Sequence, residues 1–169
     1  MNSKAWAREM ALYNKWQNDA LFGHCAGLSE AERREDRGMF FANIHHTLDH
    51  ILMVDERLLG FVKTGTPPTA PFEPRTLVHD DFASLSAARA AFDAGLLETI
   101  DGWGEDWLEE TIRFYIEALG RERVMPRMFY AMQMFNHATH HRSQVTSELH
   151  KLGIDYGNTD MPFNPHSQY

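Results

Sequence analysis

Histidine is the residue type in this sequence most able to do chemistry, because it is abundant and clustered. The chain has 169 residues and contains 10 histidines. Six of them fall into two short groups: His45, His46, His50, His137, His140 and His141. Neutral imidazole is the commonest protein ligand for transition metals. The two groups therefore predict a metal site, provided that the fold brings them together.

Helical spacing indicates which histidines of the second group can share a cation. Residues four apart lie one turn apart and within about 40° of each other, so His137 and His141 can place two imidazole nitrogens on one ion. His141 continues an apolar line with Ala138 and Val145. His140 instead shares its line with polar residues, which predicts a surface residue or an indirect partner of a ligand.

The first histidine group is less decisive. His50 lies at the border of an apolar stripe, His46 lies further round the helix, and His45 lies above mostly polar residues. We therefore prefer His50 as the third ligand and place His46 second. A purely structural role for these histidines stays open at this point, because a buried histidine is often only a hydrogen-bonded core residue.

Four amphipathic segments must position these side chains, and their apolar residues recur at helical spacing. They run from about Ser3 to Leu28, from about Met39 to Lys63, from a cap at Asp80 or Asp81 through Ile100, and from Pro126 to about Leu152. This pattern predicts an all-α protein, an antiparallel four-helix bundle that occupies residues 1–169 as a single domain.

The connections between these segments have their own signals. Ser29–Glu32 predicts a capped turn or a short helical piece, and Gly65–His79, with four prolines and no periodicity, predicts a long crossover loop. Thr111–Ile116 alternates apolar and polar residues, and with Arg121–Met125 it predicts a small hairpin inserted before the last helix. The tail, Ile154–Tyr169, is expected to be irregular.

Composition excludes several classes of function. A formal net charge of −8 without a basic stripe argues against nucleic-acid and anionic-membrane partners. The single cysteine, Cys25, precludes an internal disulfide and a cysteine-based zinc site, and it is expected to be a packing residue. With no apolar run long enough for a membrane span and no secretory leader, we expect a cytoplasmic protein.

Five segments resemble the DinB/YfiT-like superfamily, in the same order along nearly the whole chain. They are Tyr13–Asn18, His46–Leu52, Asn136–Gln144, Leu152–Asp155 and Thr159–Pro162. The third is the most specific of them. It departs from the family pattern at Ser143, where the family usually has glycine.

The resemblance implies a four-helix protein, often a homodimer, that holds one divalent cation through His50, His137 and His141. Three imidazole ligands suit zinc or nickel ahead of iron, cobalt, copper or manganese. Three protein ligands also leave a coordination position open, which is typical of catalytic sites. Members of the family include thiol transferases that join a low-molecular-weight thiol to an electrophile.

Three functions remain open from the sequence. The first is a metal-dependent enzyme, either a thiol-dependent S-transferase or a hydrolase that uses water, acting on an unknown small molecule. The second is a non-catalytic metal-binding or stress-response protein, and the third is a purely structural role for the histidines. Possible proton-transfer or ligand-orienting residues are His46, Asp49, Asn136 and Asn14.

Overall fold

The chain folds mostly into helices. A computed structural model describes residues 1–68, 73–116 and 119–169. In these ranges there are five α-helices and one two-stranded antiparallel sheet. The helices are α1 (Ser3–Ala26), α2 (Glu30–Arg34), α3 (Ile44–Thr64), α4 (Phe82–Asp101) and α5 (Arg127–Lys151), and the strands are β1 (Thr111–Ile116) and β2 (Arg121–Pro126).

Side-chain caps and one glycine fix the helix ends near the crossover. Asn43 caps α3 by accepting a hydrogen bond from the His46 amide, and Asp81 caps α4 in the same way. Gly65 ends α3 with a φ of 69°, a left-handed conformation that favours glycine. A Cβ at this position would also lie only 2.9 Å from Cγ2 of Ile112. The chain must therefore leave α3 at this residue.

Several predicted boundaries were wrong by a few residues. The second long helix begins at Ile44 rather than Met39, because Met39 forms a bridge with Ala42 and Ala42 has a φ of 66°. The first helix ends at Ala26, and Pro126 closes β2 instead of opening the last helix. The short helical piece predicted at Ser29–Glu32 is confirmed, because a distinct short helix, α2, follows Ser29 with a complete capping box.

The hairpin predicted before the last helix is confirmed. Strand β1 pairs with β2 from Thr111 opposite Pro126 to Ile116 opposite Arg121. Residues 117 and 118, between the two strands in sequence, lie outside the described residues, as do residues 69–72 of the predicted crossover. Ile112 and Phe114 face inward and pack on Phe61, which attaches the hairpin to α3.

The long helices pack most extensively in two pairs, α3 with α5 and α1 with α4. Apolar side chains from all four fill the space between them. The residues buried to 1% exposure or less include Ile44, Leu48, Leu52, Leu85, Leu96, Ala138, Val145 and Leu149. Because both histidine groups lie on the α3–α5 pair, this packing determines how the groups face each other.

A buried charge network crosses the core beside the apolar clusters. Arg89 of α4 donates to Asp55 of α3 at 2.7 Å and to Asp93 at 2.6 Å. Asn18 of α1 donates to the Asp93 carboxylate, and Arg142 of α5 donates to Asn14. Hydrogen bonds and ion pairs between buried charged and amide side chains therefore connect all four long helices.

Within the described ranges, no helix combines the length and the apolar character that crossing a membrane requires.

Candidate metal centre

Three histidines converge between α3 and α5. His50 comes from α3, and His137 and His141 come from α5, one turn apart. Each offers a nitrogen, and the three nitrogens lie within 4.8 Å of one another. The closest pair is Nε2 of His50 and Nε2 of His137, at 3.2 Å. Among the described residues, this is the group of three His, Cys, Asp or Glu side chains that could hold a metal ion.

Two of the three rings are held in one tautomer by the protein. Nδ1 of His50 donates to the carbonyl oxygen of Pro74 at 3.0 Å, and Nδ1 of His141 donates to Oε1 of Gln144 at 2.8 Å. A neutral imidazole with its proton on Nδ1 has a lone pair on Nε2. The Nε2 atoms of both rings therefore carry the lone pair that a metal ion needs, an arrangement typical of metal-binding histidines.

Aromatic packing fixes the ring planes. Phe41 stacks on His50 with ring centroids 3.9 Å apart, and it meets His141 in a T-shaped arrangement with centroids 5.4 Å apart. The unusual backbone of the neighbouring Ala42, with its φ of 66°, belongs to the bend that brings Phe41 over the site. Such conformations in a residue other than glycine are uncommon and often accompany functional sites.

Electrostatics keep the cluster neutral. Burial lowers the pKa of His50 to about 4 and that of His137 to about 3, and the neighbouring His141 adds to the effect in both cases. Burial also lowers the pKa of His141, although its hydrogen bond to Gln144 opposes the shift. At neutral pH the three rings are uncharged, so each has one nitrogen lone pair that can coordinate a cation.

The distance between two ring nitrogens and the burial of the rings both fit a bound metal ion. Zinc–imidazole bonds of about 2.05 Å in a tetrahedral site place two nitrogens about 3.3 Å apart, close to the 3.2 Å between His50 and His137. Nδ1 of His137 is buried without a hydrogen-bond partner among the described groups. Removing three imidazoles from water is costly, and coordination of a cation by their facing nitrogens would offset part of that cost.

The other residues proposed from the sequence lie outside this cluster. His46 lines an adjacent cavity of about 230 Å³ together with Phe41 and Pro74. Asn136 is exposed on α5, and Asn14 is buried in contact with Arg142.

Asp49 holds the crossover segment in place by hydrogen bonds. Its carboxylate accepts hydrogen bonds from the Val78 and His79 amides and, at 2.8 Å, from Nδ1 of His79. His45 supports the same segment, because its Nε2 donates to the His79 carbonyl at 2.7 Å. Both residues therefore hold the loop that supplies Pro74 to His50.

His140 lies on the surface, next to the cluster. It is exposed, and its Nε2 accepts a hydrogen bond from Gln144 at 3.4 Å. Gln144 thus contacts both His140 and His141. This placement is consistent with the sequence interpretation of His140 as a surface residue that contacts a ligand indirectly.

Phe41, Pro74 and the His79 contact to Asp49 were not identified from the sequence. Phe41 lies before the start of α3, in a stretch that helical periodicity wrongly included in the helix. Pro74 and His79 lie in the crossover, where no periodic pattern exists to indicate which groups point inward.

These features define a class, a mostly helical protein in which three histidines from two packed helices could hold a metal ion. The chain belongs to the DinB family, whose family model matches residues 1–169. This match confirms the family resemblance found in the sequence. No curated protein sequence matches the chain at a significant level.

Proposed function

We propose that this DinB family member binds one divalent cation through His50, His137 and His141 and uses it to act on a small molecule. One observation carries the proposal: nitrogens of three imidazoles meet within 4.8 Å, and hydrogen bonds fix the tautomers of two of the rings. The 3.2 Å between Nε2 of His50 and Nε2 of His137 suits a hydrogen bond between the rings in the absence of metal and two ligands of one tetrahedral cation in its presence.

The donor set favours zinc or nickel. A divalent cation supplies Lewis acidity, which lowers the pKa of a coordinated thiol or water. The three neutral ligands leave the charge of the cation uncompensated, so the site would attract an anionic or thiolate group. Pro74 and Gln144 orient two of the rings, and His137 is only half-buried, which leaves an approach to the site from its side.

A thiol-dependent S-transferase is the first enzymatic form of this proposal, and a hydrolase that uses water is the second. The two differ in one requirement, because the transferase turns over an electrophile only with a thiol cosubstrate. A low-molecular-weight thiol is therefore the proposed partner.

Three further properties remain predictions of the sequence and its resemblance: an antiparallel four-helix bundle, a homodimer and a cytoplasmic location. The packing of α1 with α4 and of α3 with α5 supports the four-helix bundle.

The alternative function is a metal-binding protein without catalysis, and one observation favours it. The cavity beside the cluster is lined by Phe41, His46 and Pro74 rather than by the three ligands. A site of that kind would retain a cation without presenting it to a substrate.

Metal content per chain tests the proposal. We expect tag-free wild-type protein, analysed by elemental analysis after preparation without added metal, to hold about one divalent ion per chain. His137→Ala should hold none, and His150→Ala, an exposed histidine of the same helix, should match wild type. Circular dichroism of the variants shows whether they fold. Equal metal in wild type and folded His137→Ala, or none in either after reconstitution, would refute the site.

Turnover distinguishes the enzymatic forms from the alternative. Metal-loaded protein is incubated with an electrophile panel, such as aryl halides and epoxides, with and without a low-molecular-weight thiol. Product formed only with thiol supports the transferase, and ester or amide cleavage without thiol supports the hydrolase. A fully loaded protein that turns over neither class supports the non-catalytic alternative.

A further inference from the structure

A small cavity of about 230 Å³ lies next to the candidate metal centre, where the crossover passes the start of α3. Its walls are formed by Phe41, Ala42, His46, Pro74, Arg75 and Thr76. Phe41 also packs against the ring of His50, with centroids 3.9 Å apart, and the Pro74 carbonyl accepts the hydrogen bond from Nδ1 of His50. The cavity and the candidate metal centre therefore share two of their walls.

Three polar side chains of the lining have no hydrogen-bond partner in the part of the chain that the structure describes. They are the imidazole of His46, the guanidinium group of Arg75 and the hydroxyl of Thr76. All three can donate hydrogen bonds, because each carries an N–H or an O–H group. A few polar groups that converge on a concave site are typical of small-molecule sites. This set of donors favours a ligand with acceptor oxygens.

Arg75 is positioned by an aromatic ring rather than by a carboxylate. Its guanidinium carbon lies 5.0 Å from the centroid of the Phe40 ring, and Phe40 meets Phe41 with centroids 4.8 Å apart. Within the described ranges Arg75 forms no ion pair, and Glu73, the acidic residue nearest to it in sequence, lines a neighbouring cavity. None of the residues that line the cavity of about 230 Å³ is Asp or Glu. The charge of Arg75 therefore favours an anionic ligand.

The rest of the lining is apolar and comes from Phe41, Ala42 and Pro74. The planar fork of a guanidinium group matches the geometry of a carboxylate. The cavity is smaller than the roughly 300–1,000 Å³ of sites for drug-sized ligands, so it suits a small molecule. We propose that this cavity binds a small carboxylic acid, with its carboxylate at Arg75 and its apolar part against Phe41 and Pro74, and that the acid and the metal ion bind cooperatively.

The cooperative part rests on the proposed function, and two physical reasons give it a positive sign. A carboxylate in the cavity and a divalent cation at the three histidines attract each other across the ring of Phe41. A ligand packed on Phe41 and Pro74 also restrains the two groups that orient His50, so the ion would bind a site that is already ordered. Coupling between two sites is reciprocal, so each ligand should raise the affinity of the other by the same factor.

Benzoate and its uncharged isostere benzamide test the binding part by isothermal titration calorimetry. We expect benzoate to bind at least about tenfold more tightly than benzamide, both in wild type and in His137→Ala, which lacks one proposed metal ligand. Arg75→Met should weaken benzoate binding about tenfold or more. Arg121→Met, at an exposed arginine of β2, is the matched control and should bind benzoate like wild type.

Absence of benzoate binding, equal binding of the two probes, or full binding by folded Arg75→Met would overturn the cavity assignment. Loss of binding in His137→Ala together with full binding in Arg75→Met would show that the carboxylate coordinates the metal ion instead. Circular dichroism and thermal melts confirm that each variant is folded. Because Arg75 is exposed, its replacement should leave the fold intact.

Zinc loading tests the cooperative part and separates it from the proposed function. Zn²⁺-loaded wild type should bind benzoate about fivefold or more tighter than chelator-treated wild type, and saturating benzoate should raise Zn²⁺ affinity by the same factor in a competition titration. If Zn²⁺ binds but neither affinity rises, the cooperative part is wrong and the proposed function stands. If wild type takes up no Zn²⁺, the proposed function and the cooperative part both fail, while benzoate calorimetry still reports on the cavity.

Discussion

Replacing Arg89 by methionine removes the cation that forms ion pairs with two buried carboxylates, Asp55 and Asp93. The Arg89 side chain is 3% exposed and those of Asp55 and Asp93 are each 1% exposed. Removing one partner of a buried ion pair costs about 3–5 kcal/mol, because the remaining charge loses its compensation. We therefore expect the free energy of unfolding at pH 8 to fall by about 4 kcal/mol, roughly a thousandfold in the unfolding equilibrium constant.

The pH dependence of this loss has a definite sign. Burial raises the pKa of Asp55 to about 6 even with Arg89 present, and the pKa should rise further without that cation. A carboxyl whose pKa is higher in the folded state than in the unfolded chain binds protons preferentially when folded, so its contribution to stability decreases as pH rises between the two pKa values. The deficit of Arg89→Met relative to wild type should thus be smaller at pH 5 than at pH 8.

Urea unfolding measures both effects, monitored by the fluorescence of the four tryptophans and by circular dichroism. Arg113→Met is the matched control, because Arg113 pairs with Glu122 while their side chains are 66% and 58% exposed. Exposed pairs contribute less than about 1 kcal/mol. A loss below about 1 kcal/mol for Arg89→Met, or a deficit that grows as pH falls, would refute the reasoning.

Four further predictions concern single positions. Burial raises the pKa of Cys25 to about 12, so its thiol should stay unmodified by a thiol reagent at pH 8 in folded protein and react once urea unfolds the chain; rapid reaction without urea would contradict this. Gly65→Ala should lower stability by about 1–2 kcal/mol in urea unfolding, since its φ is 69°. Gly23→Ala, in a helix interior with open space, should raise stability by about 0.5–1 kcal/mol. Gln144→Ala should weaken metal affinity about 10–100-fold by competition titration with a chelator, because it leaves Nδ1 of His141 without its acceptor.

The helical elements and the hairpin could be predicted because their signals are local. Periodic apolar residues identify α1, α3, α4 and α5, and the strict alternation of Thr111–Ile116 identifies β1. The start of α3 was misplaced because Met39 and Phe40 continue the apolar pattern, whereas the left-handed Ala42 and the Asn43 cap interrupt the helix. Periodicity is insensitive to such backbone conformations.

The histidine cluster was partly predictable for the same reason. The spacing of His137 and His141 depends only on helix geometry, and His50 was preferred because it borders the core stripe. The groups that orient them could not be found in this way. The contact of Pro74 with His50 depends on the path of a crossover without periodicity, and that path is stabilised by the distant pairing of Asp49 with His79.

The origin of the three histidines on two different helices makes the cluster a sensitive measure of helix register. A slide of α3 along α5 by a single turn, about 5.4 Å, would separate His50 from both partners while leaving much of the apolar packing in place. A core substitution that shifts these helices by even a fraction of a turn should therefore change metal affinity before it changes the unfolding midpoint. In this chain, metal affinity would therefore report on the register of α3 against α5, its two most extensively packed helices.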